Sequence, residues 1–392
     1  MNKLLNSQTV STGLAIFAMF FGAGNLIYPL MVGMTSGNLT GIGFLGFSLT
    51  AVLLPLAGLI AMILFEGDYE VFFNRLGKIP GALLIATSMV IIGPLIAIPR
   101  IVTLSHTMVA PFMPFKTLQA INPLSSFIFA ILFLGVTFLM TYRENKIVNL
   151  LGSVVSPLLL ISLVIIIIKG FISGATPIAP TYTSLQIVIN NIIRGYETLD
   201  LLGGIFFASI VFKILKQTTE SNVKRLAYLG LKSGLLGIGL LALVYAGMSY
   251  LSAFNGLGLE GLDAGELFRE ISFRVLGKGG AAIIGTAVLM ACLSTSIALG
   301  AVVGEYVQHT IARDRISFVT ALLLVLAASM PLSIYGLRAV SMLTTGVITY
   351  VGYPILIALT IANILYKLFG IRTVKVPVLA VFIAALASYY LW

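Results

Sequence analysis

The first apolar segment of the chain runs from Gln8 to Met34 and is interrupted in its middle by Phe21-Gly-Ala-Gly-Asn25. Helix fails there on simple grounds. A glycine costs about 1 kcal/mol relative to alanine at each helical position, and the Asn25 amide competes with the helix for backbone groups. Pro29 follows one turn later and removes one more donor. Inside hydrocarbon, an unwound backbone survives only where its freed N–H and C=O groups meet protein, ligand, ion or water. The segment therefore predicts a discontinuous helix built around a binding site.

Composition makes hydrocarbon the setting. Of 392 residues, 59% are hydrophobic and only 9% charged, which places the chain among polytopic membrane proteins. Apolar runs of spanning length fall near Gln8–Met34, Gly41–Phe65, Gly81–Phe112, Pro123–Tyr142, Ile147–Ile172, Ile192–Leu215, Leu226–Phe254, Gly279–Gln308, Ile316–Pro331, Tyr335–Leu368 and Val374–Trp392. The first lacks cleavage-site features and is expected to stay in the mature protein. A single cysteine, Cys292, leaves no intramolecular disulfide framework, and no Cys, His and acid cluster has metal-ligand spacing.

The net charge of +10 does not read as a nucleic-acid footprint, because the basic residues are scattered through short loops and set orientation instead. With the N-terminus cytoplasmic, that side collects Lys3, Arg75, Lys78, Arg143, Lys146, Lys213, Lys216, Lys224, Arg225, Arg313, Arg315, Lys367, Arg372 and Lys375. The other side holds Lys116, Lys169, Arg269, Arg274 and Lys278 with the acids Glu260, Asp263, Glu266 and Glu270. Two longer connections lie there, Ser173–Asn191 and Ser252–Lys278. In the second, Leu267, Phe268, Ile271 and Val275 recur at helical spacing, which predicts an amphipathic outer helix, a candidate lid.

Span six repeats the oddity of span one. Glu197-Thr-Leu-Asp-Leu-Leu-Gly-Gly204 puts two acids and a double glycine in an apolar run, so a second break is expected near Leu201–Gly204. Breaks in spans one and six fit two five-span units of opposite orientation, since an odd number of spans inverts the second copy. The expectation is one transmembrane domain, residues 1–392, with repeats at about 8–172 and 189–368 and an added helix at about 374–392.

At these motifs the chain resembles the branched-chain amino acid:cation symporter family, nearly end to end. The resemblance rests on Phe17-Ala-Met-Phe-Phe-Gly-Ala-Gly-Asn-Leu-Ile-Tyr-Pro29 in span one and Gly93-Pro-Leu-Ile-Ala-Ile-Pro-Arg100 in span three. Gly195-Tyr-Glu-Thr-Leu-Asp200 in span six and Cys292-Leu-Ser-Thr-Ser296 in span eight add to it. It departs at Leu104-Ser-His-Thr107, where family members commonly carry a glutamate, and in having about eleven spans where twelve are usual. The resemblance implies an all-α polytopic membrane protein of the leucine-transporter type, with five-plus-five inverted repeats and discontinuous helices one and six. It also implies import of leucine, isoleucine or valine with Na⁺, across a bacterial inner membrane.

Candidate site residues follow from both lines. The half-helix after the first break presents unpaired N–H groups and about half a positive charge, so Gly22, Ala23, Gly24 and Asn25 are candidates for an anionic carboxylate. Tight helix packing is the alternative for the glycines, but it leaves Asn25 unexplained. Leu201, Leu202 and Gly203, with Ile96 of span three, are candidates for an apolar side-chain pocket. Ala291, Ser294 and Thr295 lie at i, i+3 and i+4 and put oxygens on one helix face, suited to Na⁺ unless the hydroxyls only bond back to the preceding turn. The resemblance adds the carbonyls of Ala18 and Phe21 to that set.

Asp200 and Arg100 are ionisable at membrane depth, which costs at least about 2.5 kcal/mol each unless they are paired or wet. Asp200 could ligate a cation, bind the substrate ammonium, or pair with Arg100 as a structural or gating bridge, which makes Asp200 and Arg100 the candidates for coupling or gating. Glu197 belongs nearer the outer vestibule. His106 and Cys292 read as packing residues. No cofactor is expected beyond Na⁺ as coupling ion; the partners are the amino acid, Na⁺ or H⁺, and the bilayer, with no nucleic acid. The alternative within transport is H⁺ coupling through Asp200. A divalent-metal transporter is disfavoured by Gly22 and Leu202, which stand where that resemblance would want aspartate and methionine. An intramembrane enzyme would need a nucleophile beside its base, and no such constellation stands out.

Overall fold

The structure is a computed structural model and describes residues 7–142, 156–174, 176–180, 182–218, 223–344, 346 and 348–391. Lys3, Arg143, Lys146 and the start of the fifth expected span, from Ile147, lie outside the described residues. All described regular elements are helical. Span one is Ser7–Phe20 and Ala23–Ser36, span two runs from Thr40–Ser48 to Leu54–Leu64, span three covers Lys78–Phe112 and span four is Pro123–Tyr142. Ser156–Ser173 belongs to span five, and span six is Ser184–Tyr196 and Asp200–Thr218. Val223–Asn255, Ala264–Tyr306, Phe318–Ser333, Leu337–Thr344 with Tyr353–Phe369, and Lys375–Leu391 complete the eleven.

The first break lies where the sequence puts it. Phe21 N–H still reaches the Phe17 carbonyl at 2.8 Å, but Gly22 N–H turns to the Phe20 carbonyl at 2.7 Å and leaves the ladder. Gly22 is extended, at φ −105° and ψ −165°, and the Asn25 Oδ1 caps its N–H at 3.3 Å. The asparagine that disfavours helix before this point starts the next one.

The second break lies elsewhere than expected. Span six begins at Ser184, within the stretch read as an outer connection, where Thr183 and Gln186 cap its first turn. It unwinds at Glu197–Leu199, with Leu199 at φ 66°, and Leu201–Gly204 are regular helix. Gly204 serves packing, since a β-carbon there would stand 2.6 Å from the Pro55 carbonyl of span two, whereas Gly203 has only ordinary contacts with Phe207 and Phe20.

Close packing also displays the repeat. Span one lies along span seven through glycines on both sides of its break, Gly33 against Ala253 and Gly237 against the Gly13 carbonyl. Span six lies along span two in the same way, through Gly195 against the Phe47 carbonyl and Gly204 against Pro55. Exchanging the first five spans with the second five converts one pair into the other, as the five-plus-five inverted-repeat fold requires.

Span three carries a third discontinuity that the sequence reading did not register. Gly93, at φ −94° and ψ −115°, and Pro94 redirect the helix before Ala97–Val109, and a β-carbon on Gly93 would stand 3.0 Å from Val303 of span eight. The expected amphipathic outer helix exists and is continuous with span eight. Asp263 caps it through Gly265 and Glu266 N–H at 2.9 and 2.8 Å, Leu267, Phe268, Ile271 and Val275 are buried, and the axis turns at Gly277, φ 70°.

Candidate functional site

The two main breaks touch. A β-carbon on Gly24 would meet the Thr198 carbonyl at 3.1 Å, the Thr198 Cα at 3.2 Å and Arg100 Nη1 at 3.3 Å. Beside this contact lies a cavity of about 50 Å³. Gly22, Ala23, Gly24 and Asn25 line one side, and Thr198, Leu199, Asp200 and Gly203 another. Met19, Phe20, Ile92, Ile101, Phe207 and Leu299 make the remainder largely apolar. The start of Ala23–Ser36 faces this space with the N–H groups that no helical turn can satisfy. Such a chamber suits a small molecule with a charged head and an aliphatic body.

Leu201 and Leu202 do not line it. They are buried in the first turn of the second half of span six, where Leu201 covers Gly58 of span two. The break falls four to five residues earlier than the glycines suggested, so Leu199 takes the wall position. Ile96 is likewise in the core, and Ile92, Ala97 and Ile101 face the cavity from span three.

Asp200 and Arg100 both reach the cavity and are not paired with each other. Asp200 accepts hydrogen bonds from Asn25 Nδ2 at 2.8 and 2.7 Å and from the Tyr245 hydroxyl at 2.7 Å; Asn25 and Tyr245 are also in direct contact. Spans one, six and seven therefore meet in one polar cluster. Tyr245 escaped the sequence reading, although a tyrosine in Leu243-Val-Tyr-Ala-Gly247, far from both ends of Val223–Asn255, is out of place for an interfacial aromatic belt. Arg100 Nη1 donates to the Glu197 carbonyl at 2.6 Å and the Tyr28 hydroxyl at 3.1 Å. It thus satisfies one of the carbonyls that the second break frees.

On the far side of Arg100 is a second cavity, about 350 Å³, lined by Tyr28, Arg194, Glu197, Asp263, Leu337 and Arg338 among others. Tyr28 and Glu197 face it, whereas Arg100 and Thr198 face the inner chamber. The layer between the two cavities is held by the Arg100 hydrogen bonds.

Span eight supplies the other expected set. Thr295 Oγ1 bonds both the Phe21 carbonyl, at 3.3 Å, and the Ala291 carbonyl one turn back, at 3.2 Å. A β-carbon on Gly22 would stand 3.1 Å from Thr295 Cγ2, so only a glycine lets span eight approach this closely. Ala18 and Ser294 are buried on the same two spans, and the Gly22 N–H does not bond the Ala18 carbonyl four residues back. Phe21, Ala291 and Thr295 bring three oxygens together beside the first break. His106 is a packing residue, stacked on Phe129 at 4.7 Å and bonded to the Leu118 carbonyl at 3.2 Å; Cys292 is buried.

A family profile described as branched-chain amino acid transport protein matches residues 5–390. The chain belongs to that family. Among relatives of this family member, the branched-chain amino acid permease BraB of Bacillus subtilis is 30% identical over 370 residues, which is 93% of this chain and 81% of the permease. MhsT in complex with L-phenylalanine aligns at a TM-score of 0.64 and 17% identity, over 96% of this chain and 98% of MhsT. Mhp1, a nucleobase-cation-symport-1 family transporter, aligns at 0.62 and 14%, over 99% of this chain and 96% of Mhp1. The family member therefore has the leucine-transporter-type fold, and its apolar spans make it an integral membrane protein.

Proposed function

We propose that the protein is a secondary active transporter that imports leucine, isoleucine or valine with Na⁺ by alternating access, with its N-terminus in the bacterial cytoplasm. The observation that carries this reading is the junction of the two breaks at Gly24 and Thr198, where a half-helix start faces an apolar chamber. The carboxylate would lie on the N–H groups of Ala23 and Gly24 at the start of the half-helix. The aliphatic chain would lie against Ile92, Ile101 and Phe207. Na⁺ would sit between the first break and span eight, on Phe21, Ala291 and Thr295 with Ala18 and Ser294. Gly22 must lack a side chain for this contact. The MhsT complex, with an amino acid bound on the same fold, supports a ligand of this kind. No step of the cycle makes a covalent bond.

One observation favours a second reading. Asp200 is buried with only neutral hydrogen-bond donors around it, as a proton carrier at membrane depth would be. Leucine counterflow in proteoliposomes tests the substrate, and replacing Na⁺ with choline at fixed pH tests the ion. Uptake that survives choline and follows a pH gradient makes H⁺ the coupling ion, with Asp200 as its candidate carrier; absence of leucine counterflow refutes the transport reading.

A further inference from the structure

The inner cavity holds two buried charges whose partners are all neutral. Arg100 is 2% exposed and Asp200 4%. The Arg100 hydrogen bonds come from Nη1 alone and end on a carbonyl and a phenol. Those of Asp200 come from an amide and a phenol. Among the described residues, neither side chain has an ion-pair partner within 4.0 Å. A lone buried charge is costly in any protein interior, and more so in a membrane. Yet both side chains line one small chamber, on which the positive end of a half-helix also converges.

We infer that Arg100 and Asp200 read the two charges of a zwitterionic α-amino acid, each serving as the counter-ion that the protein itself withholds from the other. Arg100, beside the first turn of Ala23–Ser36, receives the α-carboxylate. Its Nη1, whose two N–H groups go to Glu197 and Tyr28, lies 3.3 Å from where a Gly24 side chain would begin, so the remaining Nε and Nη2 donors of the same guanidinium are left for a carboxylate held near the Ala23 and Gly24 N–H groups. Asp200, fixed by Asn25 and Tyr245, receives the α-ammonium. The two headgroups share one carbon, which suits a chamber this small. The inference rests on the transport reading and narrows it: the ligand must carry both charges, so an amide, an ester, a fatty acid or an amine of the same shape is rejected. It also gives Arg100 a role apart from fastening the second break.

The test is direct binding to the purified full chain in detergent with saturating Na⁺, by isothermal titration, using leucine, leucinamide and 4-methylpentanoate. Wild type should prefer leucine over each analogue. In Arg100→Gln the preference for leucine over leucinamide should fall by about tenfold or more, the worth of a charge-assisted contact, and in Asp200→Asn the preference over 4-methylpentanoate should fall likewise. Arg100→Lys, which keeps the charge and loses the fork, serves if Arg100→Gln does not fold. A smaller fall, no preference in wild type, or equal loss of leucine and leucinamide in the Arg100 variants overturns the inference and leaves Arg100 as a fastening of the break. Wild type that binds no leucine refutes the transport reading instead.

Discussion

The two helix breaks do the same topological work with opposite chemistry. The first is made of residues that give way: Gly22 is extended, and Asn25 caps its own half-helix. The second is made of residues that are held. Leu199 has a left-handed φ that β-carbon sterics disfavour, Thr198 Oγ1 donates to the Gly195 carbonyl at 2.9 Å and accepts from Asp200 N–H at 3.3 Å, and Arg100 grips the Glu197 carbonyl from span three. One break is permitted by its own sequence, and the other is imposed by its neighbours. Mutation at the first should therefore act on binding, and at the second on stability as well.

The largest expected effect is at Gly24, where the two breaks meet. Gly24→Leu places atoms where Thr198 and Arg100 already stand, and leucine affinity in a scintillation proximity assay should fall by about 100-fold or more while the protein still inserts and folds. Retained affinity would separate the breaks from the binding site. Next is Asp200→Asn, which weakens the cluster with Asn25 and Tyr245 by about 1–3 kcal/mol. Because Arg100 and Asp200 are hydrogen-bonded to different partners, adding Arg100→Gln should lower stability further in denaturant unfolding rather than restore it. Recovery of stability in the double variant would mean that the charges pair directly, contrary to the separate roles described above.

A smaller effect is expected from Thr295→Ala, which removes one oxygen of the proposed ion site beside the first break and should raise the Na⁺ concentration for half-maximal uptake about fivefold, with leucine binding at saturating Na⁺ less affected. Unchanged Na⁺ dependence in both Thr295→Ala and Ser294→Ala would remove span eight from the ion site. The smallest is at Leu199. Both Leu199→Ala and Leu199→Gly lose the buried side chain, but glycine accepts the left-handed φ, so Leu199→Gly should be the more stable of the two by about 1 kcal/mol. The reverse order would show that the second break is not strained.

These contrasts explain what was legible in the sequence. The first break could be read because its cause is local, in Gly22, Gly24 and Asn25. The second was misplaced because Gly204 announces close packing on Pro55 as loudly as it would announce a turn, whereas the Glu197 carbonyl that the break frees is held by Arg100, ninety-seven residues away in the chain. The wall residues Leu201 and Leu202 went astray with it. The Phe21, Ala291 and Thr295 contact was legible from helical spacing together with the family resemblance, and Arg100 and Asp200 as interior charges followed from cost alone. Their partners did not, since Asn25, Tyr28 and Tyr245 are joined to them only by the packing of spans one, three, six and seven.

The left-handed leucine has a consequence for kinetics. A strain of about 1 kcal/mol is a factor of about five in a two-state population, and it weighs on every conformation that keeps Leu199 at φ 66°. Any state in which span six relaxes that residue gains the same factor, loaded or empty. The strain at the chamber wall is therefore expected to shorten the life of this conformation and to speed the turn of the transport cycle proposed above. Leu199→Gly should slow that turn by a similar factor, measurable as the rate of leucine exchange at saturating substrate; an unchanged or faster exchange would place the timing elsewhere.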